Sequence, residues 1–275
     1  MISFTLARIL LFAVVIVCLI SAPKKWRQDA KIMASGGVEV KAFGVSTAIA
    51  GDVALVGASG VNGNRGAAYI FRSSDGGATW PSSETQKLTA SDGAANHYFG
   101  MMSDISGDVA VVGAYGVNGG QGAAYIFRSS NGGVTWPSSE TQKLTASDGA
   151  ANHYFGTSTA ISGAVALVGA YGADTLRGAA YIFRSSDGGV TWPSNETQKL
   201  TASVRAGNDF FGRSTAISGA VALVGAYGAD TLRGAAYIFG YTTVVEPSGS
   251  SSRSARAASD DSDDEFTSND DYACS

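Results

Sequence analysis

From residue 43 to residue 240 the apolar residues fall in short runs separated by glycines, without the three-to-four spacing of a helix. One stretch shows the pattern. Residues 158–161 (STAI) make a first short stretch, Ser162-Gly163-Ala164 interrupts, and 165–170 are almost wholly apolar. The first reads as a strand, and the continuous apolar run as a second strand buried on both faces. Gly163 between them suits a hairpin turn, which needs positive φ. A glycine-bearing loop, 171–177, leads to a third strand at 179–184. A longer loop, 185–195, leads to a fourth at 197–203. Four antiparallel strands in sequence make one small sheet.

That unit repeats. Phe-Gly stands at Phe43-Gly44, Phe99-Gly100, Phe155-Gly156 and Phe211-Gly212, always 56 residues apart, and the intervening sequence keeps register. Radial repetition of four-stranded sheets is the plan of a β-propeller. The fourth copy lacks the TQKLTAS strand after Phe239, while a matching segment, Lys31-Ile32-Met33-Ala34-Ser35, precedes Phe43 at the same distance as Lys87–Ser91 precedes Phe99. The sequence therefore predicts an all-β, four-bladed propeller over 26–240, closed by the N-terminal strand completing the last blade. An open array of repeats is the alternative.

On these residues the chain resembles FG-GAP repeat proteins, among them the integrin α-chain propeller. The likeness rests on Phe-Gly followed by Val-Gly-Ala, as in Phe155-Gly156 with Val168-Gly169-Ala170, and spans 28–239. It implies a propeller, extracellular placement, and ligand binding or adhesion. Integrin propellers have seven blades; four repeats are present here. A second likeness lies within the first. Residues 73–80, with Asp75 and Trp80, resemble the Asp-box S-x-D-x-G-x-T-W. It recurs with Asp187 and Trp192, and with Asn131 and Trp136. In sialidases and other propellers the box forms the turn between third and fourth strands, so the resemblance implies a structural role. An Asp or Asn side chain can accept backbone N–H groups there, and the glycines permit unusual φ.

Charge alters the picture at the ends. The net charge is −4, yet residues 246–275 alone carry eight acids and two arginines. The body is thus close to neutral and offers no basic patch for nucleic acid. The Ser- and Asp-rich stretch 246–275 reads as a disordered tail. At the other end, 9–20 (ILLFAVVIVCLI) is unbroken apolar sequence behind Arg8, followed by Ser21, Ala22 and Pro23. Residues 1–22 read as a signal peptide, giving a secreted or cell-surface product. A retained anchor is the alternative, with Lys24, Lys25 and Arg27 on its flank; membrane contact is expected only through that uncleaved segment. Cys18 and Cys274 cannot build a disulfide framework, so the core must hold the domain. A monomer is expected.

Candidate chemistry is sparse. The loops are near copies of one another, whereas an enzyme site usually breaks such symmetry. No catalytic residue, cofactor or metal is expected, and the turns Gly51-Asp52, Gly107-Asp108, Gly163-Ala164 and Gly219-Ala220 are too short to wrap calcium. His97 and His153 occupy matching loops with no third ligand nearby. The loop face carries Tyr115, Tyr171 and Tyr227, the polar Gln121, Arg177 and Arg233, and the triplets Asn96-His97-Tyr98 and Asn152-His153-Tyr154. Flat rings beside hydrogen-bond donors suit a glycan or an extracellular protein. A capping role for the tyrosines is the alternative. Asn195-Glu196-Thr197 is a glycosylation sequon on an expected surface loop. Three functions remain open: a secreted binding or adhesion module, a hydrolase or lyase acting on polysaccharide, and a scaffold without a discrete ligand.

Overall fold

The computed structural model describes residues 25–242. The apolar run within 1–22 and the acidic tail at 246–275 lie outside them. Among the described residues no helix is long and apolar enough to cross a membrane.

The described residues form fifteen strands in four antiparallel sheets. The first holds β1 (Phe43–Ala50), β2 (Val53–Ala58), β3 (Ala67–Arg72) and β4 (Gln86–Leu88). The second holds β5 (Met102–Ser106), β6 (Val109–Ala114), β7 (Ala123–Arg128) and β8 (Gln142–Leu144). The third holds β9 (Ser158–Ser162), β10 (Val165–Ala170), β11 (Ala179–Arg184) and β12 (Gln198–Leu200). The fourth holds β13 (Ser214–Ser218), β14 (Val221–Ala226) and β15 (Ala235–Gly240). Strands follow sequence order within every sheet. The sheets pack as successive blades, with β1 beside β5, β5 beside β9, and β9 beside β13.

Burial follows the apolar runs. Every residue of β6 and β10 is buried, because a neighbouring blade covers each face. One core cluster joins Val53, Leu55 and Ile70 of the first sheet to Phe99, Val112, Tyr125 and Phe127 at the second. The next two clusters repeat this arrangement one and two blades on. The fourth strands are shorter than the sequence predicts, three residues instead of seven in the third copy. After Leu144 the chain leaves its sheet for the next blade. There Thr145 N–H donates to the Ser194 carbonyl, and Ser147 donates through N–H and hydroxyl to Glu196 (2.9 and 2.6 Å). Ser91 and Glu140 form the same clamp one blade earlier.

Close approach of backbones fixes the joints. Gly66, Gly122 and Gly178 form parallel bridges to Phe99, Phe155 and Phe211 of the following blade. A Cβ at any of the three would overlap the partner's carbonyl oxygen.

The predicted closing strand differs from the structure. Residues 31–35 form no strand, and β15 pairs only with β14 among the described residues. Ile32 and Ala34 instead pack on the outer face of the first sheet, against the cluster of Val56, Ala58, Tyr69 and Phe71. Ser35 donates to Glu84 through N–H and hydroxyl (2.9 and 2.7 Å), reproducing the clamp between internal blades. This segment is therefore seated as a fourth strand would be relative to the next blade, without the sheet it should complete. The physical reason is distance along the series: β13 lies beside β9, not beside β1.

Candidate functional site

The turns after the third strands are built first from the sequence. In the first copy the Ser73 hydroxyl donates to Asp75 and accepts from Gly77 N–H, while Asp75 accepts from Thr79 N–H and hydroxyl (2.8 and 2.6 Å). The third copy repeats this with Ser185, Asp187 and Thr191. In the second copy Asn131 accepts from Thr135 N–H and its own amide donates to the Thr135 hydroxyl (both 2.9 Å). Trp136 and Trp192 are buried, and their indole N–H groups donate to Gly133 and Gly189 carbonyls. Trp80 is only half-buried, since among the described residues no blade packs against it from the preceding side. The box is thus used up in shaping its turn.

Hydrogen bonds from the Thr79 hydroxyl, the Ser73 hydroxyl and Thr79 N–H hold the Asp75 carboxyl down at about 2. Asp187 is lowered by the same contacts, with Thr191 foremost. An unfolded aspartate titrates at roughly 3.9. The contribution of Asp75 to turn stability is then complete above that value and lost as pH falls towards about 2. In a pH series followed by NMR, the Thr79 and Thr191 amides should shift in acid while Thr135, bonded to an untitratable Asn131, stays flat.

The loop face carries a row of aromatic rings. Tyr98 stacks on Tyr115 (centroids 5.0 Å, 4° between planes), and Tyr115 meets Tyr154 edge-on at 6.2 Å. Tyr154 stacks on Tyr171 (5.1 Å), Tyr171 meets Phe210 at 6.1 Å, and Phe210 stacks on Tyr227 (4.8 Å). Six rings from three blades make one ladder. Each stacked pair joins a ring from the loop between blades to one following a second strand. The backbone fixes them: Tyr98 N–H donates to the Asn64 carbonyl, Tyr154 N–H to Gly120, and Phe210 N–H to Leu176. Tyr98, Tyr154 and Phe210 all sit at left-handed φ (57°, 55° and 55°), an unfavourable conformation for aromatic residues. Strain of this kind is retained where surrounding structure over-determines it, often at functional sites. The ladder begins only at the second blade, because Ser59 and Ala42 occupy the corresponding positions of the first.

The predicted polar neighbours divide. Gln121 is tied into the scaffold, its amide donating to the Gly149 carbonyl and accepting from Asn118. Arg177 lies 3.8 Å from Asp174, which Arg205 also contacts at 2.7 Å. Arg233 is exposed on the corresponding loop of the last blade. His97 and His153 accept Ala94 and Ala150 N–H through Nδ1 and so close their own loops (3.2 and 3.3 Å). Asn96 and Asn152 are exposed, the latter accepting from the Tyr154 hydroxyl. Asn195 is exposed. Among the described residues no three His, Cys, Asp or Glu side chains converge as a metal site.

Three residues of interest were missed by the sequence reading. Phe210 completes the ladder; the 56-residue register aligns it with Tyr98 and Tyr154 and could have found it. Arg213 places its guanidinium 5.6 Å from the Tyr171 ring centre, a cation–π contact. Asp104 breaks the repeat where the other copies have alanine. It accepts N–H bonds from Ile105 and from Ile161 of the next blade (2.9 and 2.8 Å), and burial pushes its carboxyl up.

A comparison with curated protein sequences finds no match. Among solved structures the chain is similar to the phage phi92 endosialidase at 12% identity and a TM-score of 0.39. The alignment covers 78% of this chain and spans 37% of the length of that one. The FG-GAP repeat family matches four times, at 26–71, 82–127, 138–183 and 194–239. Those four segments each run from the stretch that bears the Ser–Glu clamp through the third strand of a blade, and with them the chain belongs to the FG-GAP repeat family.

Proposed function

We propose that this FG-GAP domain is a binding module, secreted or displayed at the cell surface, that takes a glycan along its aromatic ladder. The observation that carries the reading is the continuous row from Tyr98 to Tyr227, held by strained backbone on a loop face. Sugar rings present flat C–H faces that pack on aromatic rings, and their hydroxyls pair with amides and guanidiniums. Asn96, Asn152, Arg213 and Arg233 are exposed and supply such donors. The apolar N-terminal run supports export. Binding is favoured over catalysis because the three successive loop copies are nearly the same. In the functional form the segment 31–35 supplies the missing fourth strand of a last blade, making a propeller ring.

A glycan and matrix-protein array with the purified protein tests the reading. A glycan hit should weaken at least tenfold with Tyr227→Ala, whose ring is 54% exposed, and with Tyr171→Ala. Tenfold is about 1.4 kcal/mol, within the usual worth of one aromatic contact. An array blank for glycans, from protein with native circular dichroism, would sink the proposal. Binding indifferent to both substitutions would move the site off the ladder.

A further inference from the structure

We infer that a second copy of this chain docks head to tail on the open face of β13–β15, and that its residues 30–44 are the docking element. The inference rests on the propeller reading above and names the partner that completes it.

Three internal joints define what a joint is. Each first face contributes three apolar residues: Val53, Leu55 and Ile70 in the first blade are 2%, 0% and 0% exposed. Their counterparts in the last blade, Val221, Leu223 and Ile238, are 49%, 41% and 75% exposed. The glycine slots repeat the message. At Gly57, Gly113 and Gly169 a Cβ would overlap the carbonyl of Gly100, Gly156 or Gly212 from the following blade. At Gly225 and Gly234 no atom of a following blade lies within 4 Å. Ser158 donates its hydroxyl to the Gly212 carbonyl and Ser46 to Gly100, whereas the matching Ser214 is exposed.

The complementary half-joint is on the same chain, at its other end. Phe43-Gly44 is the Phe-Gly element that the slots at Gly225 and Gly234 lack, and nothing lies within 4 Å of a Cβ at Gly44. Residues 31–35 already sit on the first blade through the Ser35–Glu84 clamp. Internal blades pair their fourth strand as Ala68 with Leu88, Tyr69 with Lys87, and Ile70 with Gln86. Transferred along the repeat, this sets Ile32 against Ala236, Lys31 against Tyr237 and Ala30 against Ile238. A lysine stands over the tyrosine in each four-stranded sheet: Lys87 over Tyr69, Lys143 over Tyr125 and Lys199 over Tyr181. Tyr237 has none among the described residues and borders an open depression of about 630 Å³. Lys31 is the residue that register would bring there.

One molecule carries both halves of the joint and does not close it, since its first and last blades are not neighbours. The matching half must then come from another copy. An interface of two different surfaces generates a ring when its rotation closes and an open chain of copies when it does not. Two copies with reciprocal joints give a ring of eight blades.

The test uses protein expressed from the full sequence in a secretory host. Light scattering at micromolar concentration should give twice the chain mass measured after denaturation, and higher multiples would place the same joint in an open chain. Ile238→Lys, at a position exposed in the single chain, should return the mass to one chain with the circular dichroism unchanged. Mixing an Ala30→Cys chain with an Ile238→Cys chain, both carrying Cys274→Ser, should yield a disulfide-linked pair. That second measurement decides the matter even if Ile238→Lys folds poorly. A single-chain mass for the unaltered protein overturns the inference. So does an internal disulfide in a chain bearing both cysteines, which would mean self-closure. Loss of glycan binding with the doubled mass intact would fail the ladder and leave this joint standing.

Discussion

Gly122→Val is expected to lower the stability of the domain by about 2–6 kcal/mol, the sum of two terms of roughly 1–3 kcal/mol each. The first is steric. Gly122 forms a parallel bridge to Phe155, and an added Cβ would overlap the Phe155 carbonyl oxygen and stand 2.6 Å from its nitrogen. Both obstacles are backbone, so no rotamer can relieve them. Relief would require the second and third blades to separate, exposing the cluster that contains Phe155, Tyr181 and Phe183. The second term is conformational, since Gly122 has φ of 86° and a β-branched residue is disfavoured there. Gly163→Ala isolates that term. Gly163 has φ of 55° with nothing within 4 Å of a Cβ, and should lose only about 1–2 kcal/mol. Chemical denaturation of the two variants beside the parent checks the difference. Equal losses would mean that the joint is not closely packed.

The second large effect is expected for Phe155→Ala, at about 3–5 kcal/mol. The Phe155 ring is fully buried and meets Tyr181 and Phe183 edge-on at 5.5 and 5.9 Å. Its removal leaves a cavity between two blades whose backbones are already pinned by the Gly122 bridge, so the site cannot collapse to fill it. Phe43 makes the same edge-on contacts, with Tyr69 and Phe71 at 5.7 and 6.0 Å, but is only half-buried. Phe43→Ala should therefore cost clearly less in single chains. Thermal unfolding of the Ile238→Lys form, with each phenylalanine replaced in turn, compares the two residues without the contribution of a partner copy. Equal effects would contradict the claim that burial from the preceding blade sets the value of this ring.

Both predictions concern residues that the 56-residue repeat exposes directly. The repeat alone places Phe-Gly at the start of every blade, the apolar second strand within it, and the Asp-box turn between its third and fourth strands. These are local matters: short apolar runs, glycine at positive φ, and a short acceptor side chain facing nearby N–H groups. Asp75, Asn131 and Asp187 behave alike because each turn is closed by atoms within four residues of one another. The loop tyrosines were also legible as a recurring set. Their stacking was not, because each pair joins residues 17 positions apart across two different loops, as Tyr98 with Tyr115.

The local pattern of residues sets the blade, its strand order, its number of copies and the residues that shape its turns, since all of these depend on contacts within a short stretch of chain. How blades meet is a matter of long-range packing. It drew Phe210 and Arg213 into the aromatic row, shortened the fourth strands by diverting them to the Ser–Glu clamps, and left residues 31–35 seated on the first blade apart from β15. Closure of a ring depends on a small rotation between neighbouring blades, added over every joint. That angle is set by side-chain packing across each interface, and no local pattern in the chain records its sum.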